Sequence, residues 1–329
     1  MTEYRFGNNL PTADGVPMVG GFPTGLTKTF FVDYGNGSDS YSAKTNGVNR
    51  PWKTISKAYD STAGVATNKN EGIALMGNST HALTEMLTTD KNRVHMFGYD
   101  PGGRKYGQNA RVSLGITIAA TDIGTLLNTG VRSSFSNIKF INENTVTAGI
   151  YCVVESGEYT VFNNFEIYKA TDLDVTTASE LVLNGDSSQF FNGTIGSLAN
   201  AQTGTTIRPC VALNNNLAPS GTKQMRECYF ENVRMLKHSG HTTSAFVWST
   251  ADADVERTLE FKDCGFINAA LSAATPAVAV GGAAALTAGQ IILSGSTFEV
   301  GCTKLATQTG VFSTMPTYSA TGGSAIQAT

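Results

Sequence analysis

Apolar and polar positions along this chain recur in one short phrase. Residues 259–268 read LEFKDCGFIN, and the skeleton Phe261, Asp263, Cys264, Phe266 returns at the same offsets elsewhere. It is found in FSNIKF (Phe135, Asn137, Ile138, Phe140), FNNFEI (Phe162, Asn164, Phe165, Ile167) and FFNGTI (Phe190, Asn192, Gly193, Ile195). MRECYF (Met225, Glu227, Cys228, Phe230) and, more weakly, LSGSTF (Leu293, Gly295, Ser296, Phe298) complete the set. The six starts at 135, 162, 190, 225, 261 and 293 are separated by 27, 28, 35, 36 and 32 residues, a constant core with variable intervals. That is the signature of a solenoid. Apolar residues occupy positions 1, 4 and 6, with Gly or Ser tolerated at position 4. Alternation at 4 and 6 is the two-residue period of a strand with one buried face, and the change of phase at position 1 marks a bend between two strands. A single coil of this kind cannot bury its inward residues, so coils stack ~4.8 Å apart and place like residues over like. The pattern predicts a parallel β-helix of about nine or ten coils. Phe140, Ile167, Ile195, Phe230, Phe266 and Phe298 are expected on one inward line, and Cys228 with Cys264 in a small inward ladder beside Ile138 and Phe165. Asn142, Asn232 and Asn268 are expected as turn residues or an asparagine ladder at a bend.

Outside the repeats the pattern changes. Residues 1–28 carry Pro11, Pro17 and Pro23 with no helical or alternating period and read as an extended arm. Residues 29–70 pass from a short strand through a turn-rich loop to Pro51, after which Trp52, Ile55, Ala58 and Tyr59 mark an amphipathic capping helix. Residues 71–305 form the parallel β-helix, and 306–329 a C-terminal tail.

Composition narrows the class. Charged residues make up only 15% of the 329, against about 25% in ordinary globular chains. Apolar residues at 41% argue against disorder, and a net charge of −3 provides no basic field for nucleic acid. The first residues, MTEYRFGNNL, do not have the pattern of a secretory signal. The Ala-rich stretch 269–289 is too weakly apolar, and too broken by Gly and Pro276, for a membrane helix. Cys152, Cys210, Cys228, Cys264 and Cys302 are an odd number with no CxxC spacing, which fits reduced thiols made in a cytoplasm.

FFVDYGNGSDS followed by RPWKTISKAY resembles the opening segment of right-handed parallel β-helix proteins of the pectate-lyase-like superfamily. There a short strand, a Gly/Asp loop and a Pro-aromatic-x-Thr-Ile helix cap the first coil. The resemblance spans residues 29 to 300 and is nearest to tailspikes and smaller virion-associated β-helix proteins of tailed phages. It implies an all-β, single-stranded, right-handed parallel β-helix. The proline-spaced arm, low charge, cytoplasmic-type thiols, lack of a secretory-signal pattern and lack of an active-site motif add the expectation of a non-enzymatic virion component, either capsid decoration, cement or spike, assembled in the host cytoplasm. The implied partners are other virion proteins such as the major capsid protein, with the chain forming a homotrimer and engaging neither nucleic acid nor membrane. The alternative the resemblance leaves open is a polysaccharide depolymerase or a glycan-binding tailspike that meets host-surface glycan.

The residues that could carry such chemistry are few. Asp172 with Asp174, and Asp252 with Asp254 ahead of Glu256 and Arg257, place two carboxylates on one strand face and could hold Ca²⁺, but sit in polar stretches that read as solvated loops. HSGH (His238, His241) and RMLK (Arg234, Lys237) depart from the Gly-His-Gly and Arg-x-Lys of the pectin hydrolases. His81 and His95 are isolated, and the Gly-rich residues 98–107 lack the Lys-Ser/Thr ending of a phosphate loop. Trp52 belongs to the cap, and Trp248 stands in an apolar FVW triplet that reads as core. The sequence therefore nominates no catalytic, cofactor-binding or metal-ligating residue.

Overall fold

The computed structural model describes residues 12–13, 16–19, 22–23, 25–77, 79–99, 110–115, 124–145, 150–170, 178–202, 207–213, 225–241, 244–251, 253–269, 278–283, 285–301, 304–306, 309–314, 316–318 and 324–326. Three parallel sheets hold 26 of the 31 described strands, and every coil visits them in the same order. The first sheet has ten strands: Lys28–Val32, Glu71–Met76, Val94–Tyr99, Ser134–Ser136, Val161–Asn163, Gln189–Phe191, Cys228–Glu231, Thr258–Lys262, Gln290–Ser294 and Val311–Ser313. The second has eight: Thr80–Leu83, Ala110–Leu114, Ile138–Asn142, Glu166–Lys169, Thr194–Gly196, Arg234–Lys237, Gly265–Asn268 and Phe298–Val300. The third also has eight: Leu87–Thr89, Leu126–Asn128, Tyr151–Glu155, Ser179–Leu183, Val211–Leu213, Ala245–Ser249, Val278–Gly282 and Lys304–Ala306. The fold is a right-handed parallel β-helix with eight complete coils and one further first-sheet strand at each end. The expected nine or ten matches the strands of the first sheet, not the complete coils. The sheets run past residue 305, because Val311–Ser313 still pairs with Gln290–Ser294.

Register explains the core. In the first sheet Phe30, Ile73, Met96, Phe135, Phe162, Phe190, Phe230, Phe261 and Leu293 lie one above the next. The rings from Phe135 to Phe261 stack face to face, with centroids 4.9, 4.9, 4.3 and 4.7 Å apart. That spacing is set by the strand separation, and each such pair adds about 0.5–1.5 kcal/mol beyond its burial. In the second sheet the inward line is Val112, Phe140, Ile167, Ile195, Met235 and Phe266.

Two expectations are corrected here. Phe230 belongs to the first-sheet line, so the fourth copy of the repeat is FENVRM (Phe230, Asn232, Val233, Met235), five residues after MRECYF. Phe298 pairs with Gly265, and Glu299 instead pairs with Phe266, because Gly295–Thr297 contains one extra residue. It follows that Cys264 occupies position 4 while Cys228 begins a first-sheet strand opposite Leu259, and the two are not one ladder. Cys152, Cys210, Cys228 and Cys264 are buried thiols with no disulfide among them; Cys302 lies outside the described residues.

Position 3 of the repeat turns the chain from the first sheet to the second. Asn137, Asn164, Asn192, Asn232 and Asp263 have φ of 58, 51, 55, 54 and 53° there, the left-handed region that Asn and Asp tolerate best after Gly. Side-chain amides link the bend: Asn164 donates to Asn137 (2.7 Å) and Asn232 to Asn192 (2.9 Å). Asn232 thus belongs to this bend, whereas Asn142 and Asn268 end second-sheet strands at the next one.

At the N-terminal end, helix α1 (Ile55–Tyr59) is capped by Thr54, whose hydroxyl accepts from the Lys57 N–H at 3.2 Å. It buries Ile55, Ala58 and Tyr59, and Trp52 stacks on Phe30 at 5.0 Å. Within the segment expected as an arm, Thr12–Ala13, Val16–Val19 and Phe22–Pro23 pair antiparallel as a three-stranded sheet. In the tail, Pro316–Tyr318 and Ser324–Ile326 form an antiparallel pair.

Candidate functional site

The bend from the second sheet to the third carries a group of buried charges, Lys169, Glu180, Arg208 and Lys237. Lys169 stacks on Asn142, and Lys237 stacks on Asn268, so the eighth position of the repeat reads Asn, Lys, Ser, Lys, Asn from residue 142 to residue 268. The coil between the two lysines has Gly196 and Ser197 at this corner, and their small side chains leave a hollow. Gly196 is required there, since it has φ +88° and a Cβ would meet the Leu236 carbonyl oxygen at 2.1 Å. The resulting cleft, about 420 Å³ including its open mouth, is lined by Lys169, Ser179, Glu180, Asn200, Gln202 and Arg208 among others.

Lys169 and Arg208 are 6% and 7% exposed, Glu180 8%, and Lys237 behind them is fully buried. The Lys169 ammonium donates to the Asn144 carbonyl at 2.9 Å, and its main-chain N–H donates to the Glu180 carboxylate. Lys237 donates to the carbonyls of Arg208 and Ala245, the latter at 3.0 Å. Burial pushes the Glu180 carboxyl up to about 7, against the pull of the Lys169 N–H and the nearby cations. Burial likewise lowers Lys169 to about 8, opposed by the Glu180 charge. A cation and an acid whose affinities for protons converge near neutrality are what acid–base chemistry or charge recognition draws on. They are also what buried structural ion networks look like.

A second buried polar group lies at the bend from the third sheet to the first. Glu155 accepts from Asn128 Nδ2 (2.8 Å), the Gly157 N–H (3.0 Å) and Ser188 Oγ (3.1 Å). Burial raises its carboxyl to about 7 despite those donors. With these three donors it acts as a corner post.

The sequence candidates disperse. Asp172, Asp174 and Asp252 lie outside the described residues, as do residues 100–107 of the Gly-rich stretch. Asp254 is not in a solvated loop: it is 1% exposed, and its Oδ2 accepts from Thr250 N–H (2.6 Å), Thr250 Oγ1 (2.9 Å) and Ala251 N–H (2.8 Å), closing a turn. Glu256 pairs with Arg226, and Arg257 with Glu227 at 2.7 Å, linking neighbouring coils at the surface. Arg234 is exposed whereas Lys237 is buried, because residues three apart on a strand face opposite ways. His238 Nδ1 bonds the Leu198 carbonyl (3.0 Å) beside the cleft, and His241 sits nearby with its N–H donated to Ser239 Oγ (3.3 Å). His81 and His95 are buried; His95 lies between Ser134 Oγ and Asn70 Oδ1, 2.8 Å from each, with its proton affinity lowered to about 4 by burial. Trp248 is half-exposed on the outward face of the third sheet and not in the core, since Val247 takes the inward place beside Val211. Among the described residues no group of three or more His, Cys, Asp or Glu could hold a metal ion, and no helix is long and apolar enough to cross a membrane.

Lys169, Glu180 and Arg208 escaped the sequence reading. Of these only Lys169 left a signal, the eight-residue form of the repeat, FSNIKFIN, FNNFEIYK, FENVRMLK and FKDCGFIN, in which Lys replaces Asn twice at a position that faces inward.

No family model matches the sequence, and no curated protein matches it significantly. Solved structures do. A pectin methylesterase mutant in complex with a hexasaccharide is similar at 15% identity and a TM-score of 0.53, over 84% of this chain and 80% of that one. A pectate lyase is similar at 13% identity and TM-score 0.53, over 85% of this chain and 63% of its own length. A rhamnogalacturonan lyase is similar at 13% identity and TM-score 0.53, over 81% of this chain and 67% of that one. All are parallel β-helices, and at these identities the likeness establishes the fold alone.

Proposed function

We propose that this chain is a non-enzymatic structural component of a phage virion, a capsid decoration, cement or spike protein, working as a homotrimer against other virion proteins such as the major capsid protein. One observation carries the reading: among the described residues, Asp254, Glu155, Lys169 and Lys237, polar side chains that could have performed chemistry, hold the coil corners. Asp254 closes a turn, Glu155 gathers three donors, and Lys169 and Lys237 each bond main-chain carbonyls of their corner. Such a pattern supports a molecule selected for a durable surface. Buried thiols fit the same role, because burial pushes the groups of Cys210 and Cys264 up to about 12 and keeps them unreactive. The test is to follow the chain in purified particles of its source phage by mass spectrometry, then to repeat it with residues 2–28 deleted. High copy number in the intact case and loss of incorporation by a folded deletion variant are expected. Absence from particles would overturn the proposal.

A second reading, a polysaccharide depolymerase or glycan-binding tailspike, draws on the Lys169–Glu180 pair in the cleft. The fold neighbours are named for action on pectin, pectate and rhamnogalacturonan. Incubation of the intact protein with acidic polysaccharides separates the two readings: a steady fall in viscosity that Glu180→Gln abolishes would favour the enzyme.

A further inference from the structure

Two corners of the coil need a left-handed residue, and the chain fills them differently. At the first bend the left-handed residues from 137 to 263 are all Asn or Asp, which take this backbone most readily after Gly. At the bend from the third sheet to the first, Asn68 begins the row with φ 61°, but Arg93, Arg132 and Tyr159 follow it at 57, 58 and 54°. Long side chains are disfavoured in this region. The backbone does not require them: the N–H of each of Asn68, Arg93, Arg132 and Tyr159 donates to a carbonyl of the next coil at 2.7–2.9 Å, with Asn as well as with the others. All three long side chains reach solvent, Tyr159 with 46% of its surface exposed. Among the described residues the Arg93 guanidinium makes no hydrogen bond or ion pair, and Arg132 lies over the Tyr159 ring, 5.8 Å from its centroid. Farther along the same corner the charges are matched, since Glu158 and Asp186 act on Arg226, Arg226 pairs with Glu256, and Glu227 pairs with Arg257.

We propose that Arg93, Arg132 and Tyr159 form the contact by which this chain docks on an acidic surface of another virion protein. The inference rests on the virion reading and names a surface that reading leaves open. A residue kept in a disfavoured backbone region, where Asn fits, is kept for what its side chain meets outside the coil. Arg and Tyr are the residues that most often carry the energy of protein contacts. A row on the outside of a bend is convex, whereas sites for small ligands are concave. Two guanidiniums one coil apart, ~4.8 Å, suit carboxylates on the facing protein, and the Tyr159 ring fills a recess beside them.

The experiment incubates source-phage particles assembled without this chain with the purified full-length protein, and reads the bound amount after sedimentation. The unaltered protein should bind saturably, and Arg132→Glu should bind about tenfold more weakly or worse. A triple variant, Arg93→Asn with Arg132→Asn and Tyr159→Asn, should lose binding while its urea midpoint stays level or rises, because Asn suits this corner. A lower midpoint would mean that the three side chains hold the fold, and undiminished binding by the triple variant would place the contact elsewhere. Either result overturns the inference and leaves the virion reading standing. No binding by the unaltered protein would overturn both. Binding of the unaltered protein to host-surface polysaccharide, lost in the triple variant, would overturn the inference in favour of a glycan ligand.

Discussion

At the residue scale, the buried carboxyls make stability depend on pH in a direction opposite to most acids. Glu155 and Glu180 have folded-state proton affinities near 7, above the ~4.3 of a free glutamate, so the native state holds more protons than the unfolded one between those values. Stability should therefore fall as pH rises from about 4.5 to 7, by about 1.4 kcal/mol per unit for each group at most, and level off above. Urea unfolding at pH 5, 6, 7 and 8 measures the slope, and Glu155→Gln should flatten it. That variant also places an amide N–H₂ against the Asn128 donor, so an added loss of about 1–3 kcal/mol is expected at every pH. A slope unchanged by the substitution would mean that Glu155 is ionised throughout. Asn192 makes a separate case. Its φ of 55° and its bonds to Asn163 and Asn232 predict that Asn192→Ala costs about 1–2 kcal/mol and Asn192→Gly less. Little of this was visible in the sequence. Glu155 and Glu180 look like any other glutamates until the register turns them inward, and Lys169 is exceptional only once the eighth repeat position is known to be buried.

At the element scale, the coil was legible and its phase was not. Position 3 was read correctly as polar, because the first bend needs a left-handed residue that Asn supplies. A second bend, from the third sheet to the first, makes the same demand: Arg132, Tyr159, Ser187 and Glu227 have φ of 58, 54, 54 and 49°. MRECYF therefore carries an apolar–polar–apolar phrase around Glu227 that imitates the true repeat, with Met225, Cys228 and Phe230 all buried. Two corners with one physical requirement produced two matching phrases. The corrected register sharpens a prediction. Phe230 lies between the rings of Phe190 and Phe261, at 4.3 and 4.7 Å, so Phe230→Ala should cost about 3–5 kcal/mol through lost burial and a cavity. Chemical denaturation reads that loss directly. At Gly193 the reverse holds, since a Cβ would come within 2.3 Å of the Phe165 ring and Gly193→Ala should destabilise by overpacking.

For the whole molecule, a stack of coils is stable as a sum of coils and interfaces, so its ends decide how it opens. The two ends differ in their closure. At the first, Asn46 acts as a surrogate strand, accepting from Phe31 N–H at 2.7 Å and donating to its carbonyl at 3.0 Å. Trp52 adds a backbone bond to Phe31 at 2.8 Å and anchors its indole N–H on the Tyr41 carbonyl at 2.7 Å, while α1 covers the core. Edge groups satisfied in this way resist both fraying and pairing with foreign strands. At the last strand, Val311–Ser313, Phe312 is 50% exposed, and among the described residues the only strand partner is Gln290–Ser294. Opening should start there and run toward the N-terminus, with the ring stack of residues 135–261 as the last region to exchange. Native-state hydrogen exchange tests this. Amides of Ile291–Leu293 should exchange faster than those of Phe162, Phe190 and Phe230, and those of Phe30–Val32 should remain protected. Trp52→Ala should remove that protection at the N-terminal end without accelerating exchange at Ile291–Leu293. Uniform acceleration along the chain would instead mean that the β-helix unfolds as one cooperative unit, with end closure irrelevant to where it opens.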